Sequence, residues 1–162
     1  DAGVRMDEDA IINHLTDQVT YKLATEGVPF RPGARELLAD LKAAGIKTAL
    51  VTMSLRRMAS QVVSLIDFDA FDVIYAGDDV TRPKPFPDPY LMASEALGVR
   101  PDECVALEDS PNGVASAIAA KIPTMGIPHI VALDDTGVTE TRDTLTGVTT
   151  ADLIAFHERH TS

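Results

Sequence analysis

Apolar positions recur along the chain in two periods, and these periods predict an alternation of helices with short strands. Helical spacing runs through five stretches and a possible closing helix, in order 7–26, 37–44, 55–66, 90–97, 111–120 and 149–158. Between them lie short apolar or β-branched runs, which we interpret as strands: Ile46–Thr52, Phe71–Gly77, Cys104–Asp109 and Pro123–Pro128. Strands that alternate with helices in this way predict an α/β fold built on a parallel sheet.

A break rich in glycine and proline, "EGVPFRPG", separates the first helix from the rest of the chain. It is typical of a linker or a domain entry. At the other end, Thr149 or Thr150 is placed to cap the closing helix. The pattern therefore predicts a helical segment over residues 7–26, separated by this break from the α/β unit that follows.

Composition and charge narrow the possible partners. The 162 residues carry a formal net charge of −11, which disfavours binding to a nucleic-acid backbone. No apolar run reaches the roughly 18 residues of a membrane helix, so we expect no membrane partner. Cys104 is the only cysteine. This excludes an intrachain disulfide or a thiolate cluster and favours a reducing, cytoplasmic location.

Polar residues gather where three of the predicted strands end, and parallel sheets bind ligands at that edge. The first group follows Ile46–Thr52: the Thr52 hydroxyl, with the amides of Met53 and Ser54 expected to open the next helix. Free amides at a helix start suit an anionic oxygen. The alternative is that Thr52 only caps that helix.

The other two groups are basic and acidic. Lys84 lies in the proline-rich loop "RPKPFPDPY", where its ammonium could neutralise a phosphate, or it is a solvated surface lysine. Glu108 and Asp109 end a strand, with Ser110 and Pro111 suited to the cap and first position of the next helix. Adjacent carboxylates fit a hard cation such as Mg²⁺, although an exposed acidic turn is the alternative.

The stretches "VTMS", "KPFPD" and "EDSPNG" resemble the second, third and fourth motifs of the haloacid dehalogenase-like superfamily. The resemblance runs from about Val28 to Ile130 and is closest to the phosphatase and β-phosphoglucomutase-like branch with a helical cap. It implies a Rossmann-like parallel sheet flanked by helices over residues 27–162, with residues 1–26 as the end of the cap. Lys121 departs from the family, which often has glycine there.

The resemblance also implies roles for the polar residues. Thr52, Met53 and Ser54 would hold the transferring phosphoryl group, and Lys84 would neutralise it. Glu108 and Asp109 would bind Mg²⁺, which argues against the metal-free dehalogenase branch. The implied activity is a Mg²⁺-dependent phosphatase that hydrolyses a small phosphorylated metabolite through an aspartyl-phosphate.

The family's first motif, Asp-x-Asp-Gly-Thr, is absent from the 162 residues. It supplies the nucleophile, and its strand lies in the middle of the family's sheet, so we expect the central first strand to be missing. "DFDAFD" contains Asp-x-Asp but precedes a strand and lacks Gly-Thr, so we reject it as catalytic. Because the chain begins in mid-element at Asp1, we expect the nucleophile in an N-terminal segment or a second chain.

Other functions stay open. A phosphomutase of the same branch would use the same residues. A catalytically inactive phosphate- or metal-binding module would explain the absent nucleophile, and an unrelated doubly wound binding domain would explain the fold but not the three motifs. Without its own nucleophile, the 162-residue chain alone is expected to be inactive.

Overall fold

The computed structural model describes residues 7–161 and confirms the α/β class. The first six residues of the proposed cap segment lie outside this range. The helices of the described range are α1 Glu8–Glu26, α2 Ala34–Ala43, α3 Arg56–Ser64, α4 Asp88–Leu97, α5 Pro111–Ala119 and α6 Thr150–His160. The strands are β1 Ala49–Val51, β2 Val73–Tyr75, β3 Ala106–Glu108, β4 Thr124–Gly126 and β5 Glu140–Thr141. A 3₁₀ turn, Pro101–Glu103, and β5 were not predicted from the sequence.

The strands form two separate parallel sheets. β1 pairs with β2 in the register Ala49 to Val73, and β4 pairs with β3 on one side and β5 on the other. No strand of the described residues joins β1 to β3. Within residues 7–161, one edge of β1 and one edge of β3 therefore lack a strand partner.

A cleft of about 590 Å³ lies between the two sheets. Residues 49–51 line one wall and residues 105–107 the other, and helices α2, α4 and α6 close its sides. All three β1 residues are only half-buried, whereas strands covered on both faces of a parallel sheet are normally buried. The cleft thus lies where a strand between β1 and β3 would lie if the two sheets were one.

The core is divided as well. The larger buried cluster surrounds β4 and consists of Leu37, Leu41, Met125, Ile127, Leu145, Val148, Leu153 and Phe156. The smaller cluster lies between α4, β3 and α5 and consists of Tyr90, Ala106, Ala117, Ala120 and Ile122. The smaller cluster packs against Val51 of β1, and members of both clusters, such as Leu41 of the larger and Tyr90 of the smaller, line the cleft.

The linker after α1 is held to the edge of the sheet. Arg31 donates from its two terminal nitrogens to the carbonyls of Ile127 (2.6 Å) and Pro128 (2.8 Å), just beyond β4. Helix α1 packs on α3, where Arg57 donates to Asp17 at 2.8 Å. The division at residues 26 and 27 stays a prediction. Among the described residues, no helix is both long and apolar enough to cross a membrane.

Candidate active site

The Lys84 loop and the end of β3 meet in a buried ion pair. The Lys84 ammonium donates to Glu108 Oε1, and the two side chains are 8% and 6% exposed. The same ammonium donates to the carbonyl of Val51 at 3.0 Å. Because Val51 ends β1 and Glu108 ends β3, this lysine contacts both walls of the cleft. The solvated-surface interpretation of Lys84 is therefore wrong.

Tyr90 completes this arrangement and was missed from the sequence. Its hydroxyl donates to Glu108 Oε1, and the Lys84 ammonium lies 5.0 Å from the centre of its ring. Burial, followed by the negative charge of Glu108, raises the pKa of the phenol well above its usual range. A buried tyrosine hydroxyl nearly always has a hydrogen-bond partner. In the sequence, the signal that could have identified Tyr90 is its position six residues after Lys84, at the end of the same proline-rich stretch.

The two adjacent acids have different surroundings. Glu108 is buried and already paired with a protein cation, whereas Asp109 is exposed and its side chain makes no hydrogen bond or ion pair within the described part of the chain. No group of three or more His, Cys, Asp or Glu residues that could hold a metal occurs among the described residues. Two carboxylates match what Mg²⁺ takes from a protein beside water and phosphate oxygens. The carboxylates of Glu108 and Asp109 are therefore the type of ligand that Mg²⁺ prefers, and the exposed Asp109 is accessible to the ion.

The loop after β1 differs from the sequence expectation. Helix α3 begins at Arg56, so the amides of Met53 and Ser54 do not open it, and Thr52 does not cap it. Instead the Thr52 hydroxyl accepts from the Ser54 amide at 3.1 Å, within the loop. The Arg56 amide donates to Asp78 at 2.7 Å, so a residue from the next loop supplies the cap.

Hydrogen bonds of Arg56 and Asp79 fix the loop after β2 against this segment. The Arg56 guanidinium donates to both oxygens of Asp79 and, at 2.6 Å, to the carbonyl of Ile74. Asp79 in turn accepts from the Ala76 amide at 2.6 Å. The hydrogen bond from Arg56 lowers the pKa of the Asp79 carboxyl below its usual range, with the Ala76 amide adding to it. The network stabilises the loop that precedes the Lys84 segment.

The start of α5 was predicted correctly and fits closely around Glu108. Ser110 is the N-cap and accepts from the Gly113 amide at 3.2 Å, and Pro111 is the first helical residue. A Cβ on Gly113 would lie 1.8 Å from Glu108 Oε2, so only glycine leaves room for the carboxylate. Further along, the Ser116 hydroxyl donates to the carbonyl of Phe86 at 2.6 Å, which ties the Lys84 loop to this helix.

The rejected "DFDAFD" stretch lies away from these residues. It comes before β2, whereas Val51 and Glu108 come at the ends of β1 and β3. Asp67 pairs with Arg35 at 2.6 Å, and Asp72 accepts from the Thr48 amide at 2.8 Å. Both acids have structural partners at the opposite end of the strands.

The structure therefore brings Lys84 and Glu108 together, with Asp109 next in the chain. Thr52 follows Val51, the carbonyl of which binds Lys84. Thr52 and Ser54 are half-buried, and Met53 is 39% exposed. No contact joins the side chains of Thr52 and Lys84 among the hydrogen bonds and ion pairs of residues 7–161. Such a site defines a Rossmann-like α/β protein with charged groups at the strand ends.

A family model described as haloacid dehalogenase-like hydrolase matches residues 4–121, and the chain belongs to this family. It is 42% identical over 110 residues to hexitol phosphatase A of Escherichia coli K12, with 68% of this chain and 48% of that protein covered. It is 38% identical over 117 residues to the protein CbbY of Rhodobacter capsulatus, with coverage of 70% and 52%. Phosphoglycolate phosphatase of E. coli K12 is 32% identical over 120 residues, with coverage of 74% and 48%.

Solved structures support the same fold. CbbY of Rhodobacter sphaeroides, in complex with phosphate, superposes with a TM-score of 0.82 at 30% identity, with 93% of this chain and 70% of that chain covered. A putative β-phosphoglucomutase of Thermotoga maritima gives a TM-score of 0.70 at 28% identity, with 86% and 67% covered. The chain spans about half the length of the first curated relatives it matches.

Proposed function

We propose that this chain is part of a Mg²⁺-dependent phosphatase that hydrolyses a small phosphorylated metabolite. The observation that carries the proposal is the buried Lys84–Glu108 pair, which lies at the strand ends beside the exposed Asp109. Family membership supports it, as do relatives named for hexitol phosphate and phosphoglycolate hydrolysis. We expect sugar phosphates or small organic phosphates as substrates, and the cytoplasm as the location.

In this proposal, phosphoryl transfer depends on positioning and charge neutralisation. Thr52, with the amides of Met53 and Ser54, holds the oxygens of the phosphoryl group, and Lys84 offsets negative charge on it and on the nucleophile. Asp109, with the neighbouring Glu108, would hold Mg²⁺, which when bound would neutralise charge on the phosphate oxygens; Asp109 is the more open of the two because Glu108 is also paired with Lys84. The nucleophile is an aspartate from a polypeptide segment outside residues 7–161. Its carboxylate oxygen bonds to phosphorus as the bond from phosphorus to the substrate's ester oxygen breaks and the substrate leaves as an alcohol. Water then hydrolyses the aspartyl-phosphate, which releases inorganic phosphate and regenerates the aspartate.

The cleft between β1 and β3 is where we place that segment in this proposal. An extended strand there would pair with both free edges and end beside Lys84 and Glu108. Either an N-terminal segment or a second chain would serve. Residues 1–26 belong, in this proposal, to a helical cap that contributes to substrate choice.

Two other functions remain in view. A phosphomutase is favoured by the fold match to the putative β-phosphoglucomutase of T. maritima. An inactive phosphate- or metal-binding module is favoured by the absence of Asp-x-Asp-Gly-Thr from the 162 residues.

Intact mass and N-terminal sequencing of the purified protein come first, because they identify any segment or companion peptide that carries Asp-x-Asp. Phosphate release from hexitol phosphates and phosphoglycolate is then measured with Mg²⁺, for the 162-residue chain alone and together with that segment. We expect turnover only with the segment. An isomerised sugar phosphate without free phosphate would indicate the mutase, and no turnover with the segment present would indicate the inactive module.

A matched pair of variants tests the site itself. Asp109→Asn removes an exposed carboxylate at the proposed metal position, and Asp69→Asn removes an exposed carboxylate of the rejected stretch. We expect Asp109→Asn to lower kcat/KM by about a hundredfold or more, because even the loss of an outer-sphere partner of a metal ligand costs about 10–100-fold, and Asp69→Asn to leave it unchanged. Equal effects of the two substitutions would contradict this assignment.

A further inference from the structure

Tyr90 lies where the cleft meets the charged residues. Its side chain lines the cleft and is 8% exposed, and its hydroxyl donates to Glu108. The Lys84 ammonium donates to the same carboxylate oxygen, Oε1, from above the Tyr90 ring. One aromatic side chain therefore contacts both members of the ion pair, by a hydrogen bond and by a cation–π contact.

These contacts restrict motions that an ion pair alone would allow. A lysine side chain has several rotatable bonds, and its ammonium is a point charge with no preferred direction. A carboxylate held by one donor can turn about its terminal torsion, which is broad for glutamate. With a second donor on Oε1 and a ring beneath the ammonium, both groups keep one arrangement.

We propose that Tyr90 is a positioning residue that acts through Glu108 to fix the Lys84 ammonium at the end of the cleft. Its effect on turnover rests on the proposed function, whereas its effect on the placement of Lys84 does not. Tyr90 itself touches no reacting atom in this scheme.

The reactivity of Lys84 toward an acylating reagent tests the placement directly in the 162-residue chain. Lys22, which is 71% exposed, serves as an internal standard, and the modification of each lysine is followed by peptide mass spectrometry. We expect Tyr90→Phe to raise the relative acylation rate of Lys84 about tenfold, the factor that one charge-assisted hydrogen bond contributes to an equilibrium.

A matched control separates positioning from a general loss of stability. Thr124→Val also removes a fully buried hydroxyl, which bonds to the carbonyl of Ile122 at 2.8 Å, on β4. We expect it to leave the relative rate at Lys84 unchanged. An unchanged rate in Tyr90→Phe, or an equal rise in both variants, would overturn the proposal.

Glu108→Gln provides a second route that does not depend on Tyr90→Phe alone. If Tyr90 acts through Glu108, adding Tyr90→Phe to Glu108→Gln should raise the acylation rate of Lys84 no further. Independent, multiplicative effects of the two substitutions would contradict that route.

Kinetics then test the consequence for the reaction, in a polypeptide that carries the nucleophile. Tyr90→Phe should lower kcat about tenfold and leave KM within about twofold, because the ammonium position matters most as charge develops. Tyr75→Phe, which removes the hydroxyl of a half-buried tyrosine on β2, is the control and should change neither. An unchanged kcat in Tyr90→Phe would overturn the proposed effect of Tyr90 on turnover. If the wild type itself releases no phosphate, the proposed function fails, and the acylation rates alone decide the role of Tyr90.

Discussion

At the scale of single residues, the adjacent acids at the end of β3 are stabilised in two different ways. Two neighbouring carboxylates repel each other unless a positive charge or water compensates them. Glu108 receives that charge from Lys84 within the protein, and Asp109 is solvated. The sequence suggested one dication for both. The structure gives one of them a protein cation and leaves the other open to a metal.

Gly113 controls whether this arrangement can form. Glycine within a helix normally costs about 0.5–1 kcal/mol relative to alanine, so Gly→Ala would usually stabilise. Here a Cβ would lie 1.8 Å from Glu108 Oε2, and the carboxylate is held by Lys84 and Tyr90. We expect Gly113→Ala to lower the free energy of unfolding by about 2 kcal/mol, measured by urea denaturation.

Asn112 offers the control for Gly113→Ala. It is exposed in the same turn of α5, and Asn112→Ala should change the free energy of unfolding by no more than about 0.5 kcal/mol. A Gly113→Ala protein that is more stable than the wild type would show that the Glu108 side chain can move without a loss in the free energy of unfolding.

At the scale of elements, helix ends carry much of the local specificity. Helix α5 ends in a Schellman motif, in which the Lys121 amide donates to Ile118 (2.9 Å) and the Ile122 amide to Ala117 (3.1 Å). Lys121 has φ +62°, a left-handed conformation that favours glycine. The residue that departs from the family's glycine therefore adopts a backbone conformation that is strained for a residue with a side chain.

Lys121→Gly should therefore stabilise the protein. The left-handed conformation costs a non-glycine residue roughly 1–2 kcal/mol, and the extra entropy of glycine in the unfolded chain offsets part of this. We expect a gain of about 0.5 kcal/mol in the free energy of unfolding, and a loss of about 1 kcal/mol for the β-branched Lys121→Val. Thermal denaturation measures both, and a destabilised Lys121→Gly protein would contradict the strain argument.

The contact of α3 with the loop after β2 predicts a pH dependence. The pKa of Asp79 is lowered by Arg56, so the unfolded chain takes up this proton at a higher pH than the folded chain does. The stabilising contribution is complete above the unfolded pKa, about 3.9, and is lost as the pH falls through the lower folded value. Asp79→Asn should reduce stability at neutral pH and lose less than the wild type on acidification below about pH 4.

Melting temperatures across this pH range check the prediction. The control variant, Asp69→Asn, removes an exposed carboxylate, and its melting temperature should vary with pH as that of the wild type does. If Asp79→Asn and the wild type lose stability in parallel on acidification, Asp79 does not contribute to the acid transition.

Local patterns predicted the elements, and tertiary contacts account for the errors. Periodicity located the helices and four of the strands, and the capping pattern correctly placed the start of α6, where Thr149 accepts from the Asp152 amide. The expected opening of α3 by the amides of Met53 and Ser54 and its expected cap, Thr52, were wrong because the actual cap, Asp78, is distant in sequence. Strand β5 was missed because its two residues carry no apolar run, and Tyr90 because its role depends on contacts with Lys84 and Glu108.

At the scale of the whole molecule, the cleft lies between the two sheets, where one further strand would join them, and buried clusters lie on both sides of it. The residues proposed to hold phosphate follow β1, and the acids follow β3, so the candidate site is completed across the cleft. The family resemblance was needed to expect this, because no pattern within the 162 residues indicates a strand that they do not contain.

Hydrogen exchange should detect the two free edges. Peptides that cover β1 and β3 should exchange faster than peptides of α5, because part of their backbone has no partner strand. Adding the polypeptide that carries the nucleophile should protect both strands together. Slow exchange at β1 and β3 in the 162-residue chain alone would show that these edges are already paired.

Lys84 bonds both walls of the cleft, and this affects how its presence is interpreted. Removing one partner of a buried ion pair costs about 3–5 kcal/mol, a large part of the stability of an ordinary domain. Loss of Lys84 is therefore expected to impair folding whether or not the protein turns over a substrate. A Lys84 variant reports on folding as well as on catalysis, whereas Asp109, which contributes no such bond among the described residues, is the better position for a test of catalysis.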